Sequence, residues 1–140
     1  GYMYRVGRGL PQNDGEAVRW YRLAAVQGHA VAQVNLGGLY QAGLGVPQND
    51  ARAVRWYRLA ADQGSAVAQL QLGLRYRDGR GVPQDHETAH MWFNLAASRG
   101  TGVTRDDAVT NRDGVAQGMS RVQIVAAQRR ALEWHDAHTQ

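Results

Sequence analysis

Apolar and small side chains recur along the chain at the spacing of amphipathic helices, and glycine-rich polar segments separate these stretches. The segment 30–42 predicts one helix that ends at a glycine. Its predicted buried face carries Ala32, Leu36, Gly37 and Tyr40. A second helix is predicted to follow a short turn, with Asn49 or Asp50 as its N-terminal cap. Its predicted buried face carries Ala53, Trp56, Tyr57, Ala60 and Ala61. The pattern indicates a helix-turn-helix unit.

This unit recurs with a period of 36 residues. The turn reads GLPQND at 9–14, GVPQND at 45–50 and GVPQDH at 81–86. The second helix reads AVRWYRLAA at 17–25 and 53–61, and AHMWFNLAA at 89–97. A single hairpin buries only part of its apolar surface, so such units stack on one another, and about three are needed for a stable array. We therefore predict an all-α solenoid.

The repeat pattern stops after Gly100, where Arg112 replaces the expected tyrosine. Residues 104–117 still predict a helix, and Ser120 with Gln123 forms the capping-box pattern that opens a last helix. The apolar face of that last helix carries Ile124, Ala127, Ala131 and Trp134. We predict that these two helices cap the array.

These motifs resemble the Sel-1-like repeat (SLR) family, which is related to the tetratricopeptide repeats. The resemblance implies one right-handed α/α superhelical solenoid domain over residues 1–140, with the first helix of each unit lining a concave surface. Its predicted parts are a truncated first repeat (1–28), a second repeat (29–64), a third repeat (65–100) and a C-terminal cap (101–140). The truncation predicts an exposed N-terminal edge at Trp20 and Tyr21, through which the chain could self-associate.

The resemblance also implies a non-catalytic scaffold or adaptor that binds a protein or peptide in the concave groove, in a bacterial signalling, envelope or secretion-related complex. Direct binding as a regulator or inhibitor is one such role. The predicted partner-binding residues follow helical spacing on the concave face. They are Tyr2, Arg5, Val31, Val34, Gly38, Gln41, Val67, Leu70, Leu74 and Arg77. For Val34 and Leu70, packing against the next repeat is an equal alternative.

The amino-acid composition excludes several kinds of site and structure. The chain has 140 residues, no cysteine and a formal charge of +4, and all of its 16 basic residues are arginine. Disulfides and thiolate metal sites are therefore excluded. No apolar run approaches the roughly 18 residues that a membrane span needs, so no membrane insertion is predicted. The compartment is the periplasm or cell envelope if an export signal precedes residue 1, and the cytoplasm otherwise.

The segment His86-Glu87-Thr-Ala-His90 matches the helical zinc-peptidase signature, in which two histidines hold the metal beside a glutamate base. A third ligand is missing at the expected position, where the chain has Ala96. The repeat register places the motif at an ordinary helix start. Zinc peptidase is therefore kept only as an alternative, and we predict no catalytic residue, metal or cofactor.

Arginines on the second helices suggest nucleic-acid binding as another alternative. Nucleic-acid binding needs a strong basic field on one side of the molecule. Here Arg19, Arg55 and Arg58 alternate with acidic residues such as Glu16 and Asp62, and the net charge is small. A solvated outer face is the preferred interpretation, and no nucleic-acid partner is predicted.

Overall fold

The computed structural model describes residues 13–138, and within this range the chain forms seven α-helices and no strand. The helices are α1 (Asp14–Val26), α2 (Ala30–Ala42), α3 (Asp50–Asp62), α4 (Ala66–Asp78), α5 (His86–Arg99), α6 (Gly102–Ala116) and α7 (Arg121–His138). Helices α2 and α3 form one hairpin and α4 and α5 form the next. Each helix from α1 to α6 packs on the one that follows or precedes it, whereas α7 packs on α5. The predicted all-α solenoid is confirmed, and α2 spans the predicted residues 30–42.

An asparagine or aspartate begins each second helix at the 36-residue period. The side chains of Asn13, Asn49 and Asp85 each accept a hydrogen bond, 3.0 Å long, from the backbone N–H three residues ahead. These bonds satisfy one of the backbone donors that a helix start leaves free. The local sequence therefore sets where each outer helix begins.

Close packing within each hairpin depends on glycine. A Cβ atom at Gly37 would lie 2.8 Å from the ring of Tyr57, and one at Gly73 would overlap the ring of Phe93. Both rings are buried, with 3% of Tyr57 and 0% of Phe93 exposed. Because glycine has no side chain, each aromatic ring lies directly on the backbone of the facing helix.

A third glycine connects one repeat to the next. Gly81 has φ +81°, and a Cβ atom there would lie 2.5 Å from the carbonyl oxygen of Asp50. Both the left-handed backbone and the close approach require glycine. The turn before α5 therefore rests on the start of α3.

Side-chain hydrogen bonds join successive repeats at equivalent positions. Arg22 donates to the Tyr40 hydroxyl, and 36 residues later Arg58 donates to the Tyr76 hydroxyl at 2.6 Å. At the third junction the polarity reverses, because Arg112 of α6 donates to Asn94 of α5 at 3.2 Å. Arg112, which departs from the repeat pattern, therefore preserves the hydrogen bond at this junction.

The last helix covers the end of the array. Ser120 and Gln123 form the predicted capping box, with reciprocal bonds of 2.8 and 3.1 Å. Ala127 and Ala131 are buried, and the ring of Trp134 meets that of Trp92 edge-on at 6.0 Å. The predicted cap helices are confirmed, although α6 begins two residues earlier than predicted, at Gly102.

Candidate partner-binding groove

A groove of about 290 Å³ lies between α2 and α4, the first helices of the two complete repeats. Its lining combines apolar side chains with amide and hydroxyl groups. The lining residues are Val34, Asn35, Gly38, Leu39, Ala42, Leu44, Tyr57, Val67 and Gln71.

Three of the residues predicted to bind a partner line this groove, namely Val34, Gly38 and Val67. Val67 is 44% exposed, whereas Val34 is half-buried and packs on the core. Val31 is 76% exposed but does not line the groove. Tyr2 and Arg5 lie outside the described residues.

The other predicted residues have partners within the protein. Leu70 is 8% exposed and belongs to the core that α4 shares with α5 and α6, and the half-buried Leu74 packs against that core. Gln41 accepts a hydrogen bond of 2.7 Å from the Tyr57 hydroxyl. These three side chains therefore contribute to packing and hydrogen bonding within the protein.

Arg77 links α4 to the cap. It donates to Asn111 of α6 at 2.6 Å and forms a two-pronged ion pair with Asp78, at 2.8 and 3.1 Å. The hydrogen bond from Arg77 holds the pKa of the Asp78 carboxyl below its usual value. Arg77 therefore already has two acceptors in the folded chain.

Tyr57 was predicted as a core residue, and its side chain also lines the groove. Its ring passes over Gly37, so its hydroxyl reaches the groove floor beside Gly38. Burial raises the pKa of Tyr57 to about 12, while the charge of Arg75 opposes the rise. The two adjacent glycines facing a tyrosine were the signal that could have revealed it.

The zinc-peptidase motif occupies the start of α5. His86 is exposed, while His90 is 3% exposed and points into the core. Glu87 forms an ion pair with Arg130 of α7 at 3.3 Å. Within residues 13–138, no group of three or more histidine and acidic side chains is placed to hold a metal ion.

The arginines of the outer helices divide into two groups. Arg22 and Arg58 bond to tyrosines of the next repeat, whereas Arg19 and Arg55 are exposed. No helix in the described range is long and apolar enough to cross a membrane.

The N-terminal edge carries exposed apolar surface. Trp20 is 62% exposed and Leu23 is 56% exposed, and they line a shallow depression with Glu16 and Arg19. Tyr21 is half-buried and packs on the core, unlike its predicted exposure. Self-association through this edge stays a prediction.

Comparison with known protein families and solved structures finds Sel1 repeats in each case. The family model described as Sel1 repeat matches three times, at residues 1–29, 30–65 and 66–101. A solved protective antigen from uropathogenic Escherichia coli strains, displaying an SLR fold, is 31% identical with a TM-score of 0.84. That match covers 93% of this chain but only 28% of the antigen. A solved Sel1 repeat protein from Oxalobacter formigenes is 40% identical with a TM-score of 0.66, covering 78% of this chain and 82% of its own. No curated protein matches the chain.

Proposed function

The chain belongs to the Sel1 repeat family, whose members are generally protein–protein interaction scaffolds, and from this premise we propose that it binds a partner protein without catalysis. The binding site in this proposal is the groove between α2 and α4. The observation that carries the proposal is the exposure of Val67 beside Val34 and Gly38 in that groove. A partner would remove this apolar surface from water.

The composition of the groove supports a peptide-like ligand. The valine side chains offer apolar contact, and Gly38 leaves room for a close approach. Asn35, Gln71 and the Tyr57 hydroxyl offer hydrogen bonds that would orient a bound segment. Leu39 and Val34 of α2 also pack in or against the core, which supports the groove from within.

The proposed setting is a bacterial signalling, envelope or secretion-related complex, in which the chain acts as an adaptor or as an inhibitor by direct binding. Support comes from the bacterial origin of both solved relatives. The N-terminal edge at Trp20 and Leu23 offers a separate surface for self-association in this proposal.

Three valines provide a matched test of the groove, because each is the second residue of its helix. Val67 is the second residue of α4 and lines the groove, Val31 is the second residue of α2 and lies outside the groove lining, and Val122 is the second residue of α7. Aspartate is tolerated in the first turn of a helix, so all three aspartate variants should fold. Circular dichroism verifies this.

Each variant is used to capture partners from an extract of the source organism, with quantitative mass spectrometry as the readout. The proposal predicts that Val67→Asp lowers recovery of the captured partner about tenfold or more, because a charge replaces a buried apolar contact. Val122→Asp should leave recovery unchanged. Retention by Val67→Asp together with loss by Val122→Asp would move the binding surface to the cap. Loss by Val31→Asp would extend the site along α2.

A further inference from the structure

A buried arginine of α4 has two guanidinium nitrogens without hydrogen-bond partners. Arg75 is 6% exposed, and neither its Nε nor its Nη1 atom has a hydrogen-bond partner. Burying a guanidinium without satisfying its donors costs free energy, and buried polar groups are normally paired. The preceding repeat has Leu39 at the equivalent position. Arg75 is therefore a departure from the repeat that packing does not require.

The position of Arg75 connects it to the groove. It lies one helical turn after Gln71 on the same face of α4, and Gln71 lines the groove. Its charge also acts on the hydroxyl of Tyr57, another lining residue. Because an arginine side chain has several rotatable bonds, its guanidinium can turn toward a group that enters between the two helices.

The carboxylate that follows Arg75 by one turn of α4 is already engaged. Asp78 is one turn after Arg75, but its two oxygens accept from Nε and Nη2 of Arg77. The Tyr57 hydroxyl donates a hydrogen bond to Gln41, and it is a single oxygen rather than a pair of acceptor atoms. Among the described residues, neither group therefore supplies the two acceptors that a guanidinium fork prefers.

We propose that Arg75 recognises an acidic side chain of the bound partner, so that the groove selects a segment carrying an aspartate or glutamate next to an apolar residue. The carboxylate would bond to the guanidinium, and the neighbouring apolar side chain would rest on Val34 and Val67. The inference rests on the proposed function, since it specifies what the groove binds.

Two capped tripeptides serve as probes, acetyl-Leu-Glu-Leu-amide and acetyl-Leu-Gln-Leu-amide. The two peptides differ only in the central side chain, which is a carboxylate in one and an amide in the other, and neither peptide has a free terminus. Binding is measured by ¹H–¹⁵N NMR titration of the whole chain, following the backbone amides of Gly38, Val67 and Gln71. We expect the glutamate peptide to bind about tenfold or more tightly than the glutamine peptide. Equal binding of the two would overturn the inference.

Arg75→Leu is the decisive variant, since leucine occupies this position in the preceding repeat. It should lose the preference for the glutamate peptide and should unfold no more easily than the parent chain. Arg55→Leu removes the same charge from an exposed site and should keep the preference. A preference that persists in Arg75→Leu, or disappears equally in Arg55→Leu, would refute the role of Arg75.

A third probe separates the source of the carboxylate. Acetyl-Leu-Leu with a free carboxyl terminus should bind more weakly than the glutamate peptide, and tighter binding would overturn the choice of a side chain. The valine variants keep the two proposals distinguishable. If partner capture depends on Val67 but the protein binds the glutamate and glutamine peptides equally, the groove is supported as the binding site and the role of Arg75 is refuted. If capture is independent of Val67, the groove itself is wrong.

Discussion

The adjacent glycines of α2 should respond in opposite ways to alanine. In Gly37→Ala the new Cβ would lie 2.8 Å from Tyr57 Cε1 and 2.9 Å from Cδ1. Carbon atoms in contact prefer about 3.5–4.0 Å, so the ring must move by roughly 0.7 Å or more. The ring is buried and its hydroxyl is bonded to Gln41. Overpacking of this kind costs about 1–3 kcal/mol.

The intrinsic helix preference acts against this cost. Alanine is favoured over glycine inside a helix by about 0.8–1 kcal/mol. At Gly38 the nearest atom to a new Cβ is the Tyr57 hydroxyl oxygen at 3.8 Å, an ordinary contact. Gly38→Ala should therefore stabilise the chain by up to about 1 kcal/mol. Gly37→Ala should leave it unchanged or destabilise it by up to about 2 kcal/mol.

Urea unfolding followed by circular dichroism at 222 nm measures both variants. The expected difference in the free energy of unfolding is about 1–3 kcal/mol, in favour of Gly38→Ala. Repeating the pair in a Tyr57→Leu background should shrink the difference to below about 0.5 kcal/mol, because the ring is gone. Equal stability of the two alanine variants in the parent chain would refute the packing argument.

Two further substitutions test other parts of the fold. Burial and the Arg112 guanidinium lower the pKa of His90. The unfolded chain, whose histidines titrate near pH 6.5, therefore gains a proton first on acidification. The free energy of unfolding should fall below about pH 6.5, by at most about 1.4 kcal/mol per pH unit. His90→Val, the residue type of the two earlier repeats, should remove this decline in urea titrations between pH 7 and 5; an unchanged decline would contradict the assignment. Gly81→Ala should lower the thermal midpoint because it imposes a left-handed alanine against the Asp50 carbonyl; an unchanged midpoint would contradict the close approach.

Local structure followed directly from the sequence. The bounds of α2, the cap at Asn49 and the capping box of α7 depend on residues within a few positions of one another. The 36-residue period then extended these local predictions to every repeat. The helix bounds within the repeats and the stacked architecture were therefore predictable, whereas α6, which follows the last repeat, begins two residues before its predicted start.

The composition of the groove was only partly predictable. Helical spacing identified Val34, Gly38 and Val67, but it treated the first helices as the whole surface. Tyr57 reaches the groove from the second helix of its repeat. Arg77 donates a hydrogen bond to Asn111, which lies 34 residues later in the sequence. Such contacts depend on how far neighbouring hairpins rotate relative to one another, and periodicity within one helix carries no information about that rotation.

The reversed bond between Arg112 and Asn94 determines how such an array can grow by gene duplication. A second copy of residues 29–64 inserted after Gly64 would place an arginine opposite a tyrosine at both new junctions, as Arg22 and Tyr40 are placed now. A copy of residues 65–100 inserted after Gly100 would instead set an asparagine opposite a tyrosine, and that junction would lose its arginine. Of these two complete units, the one that precedes α6 loses an arginine junction when it is duplicated, whereas the unit before it keeps an arginine opposite a tyrosine on both sides.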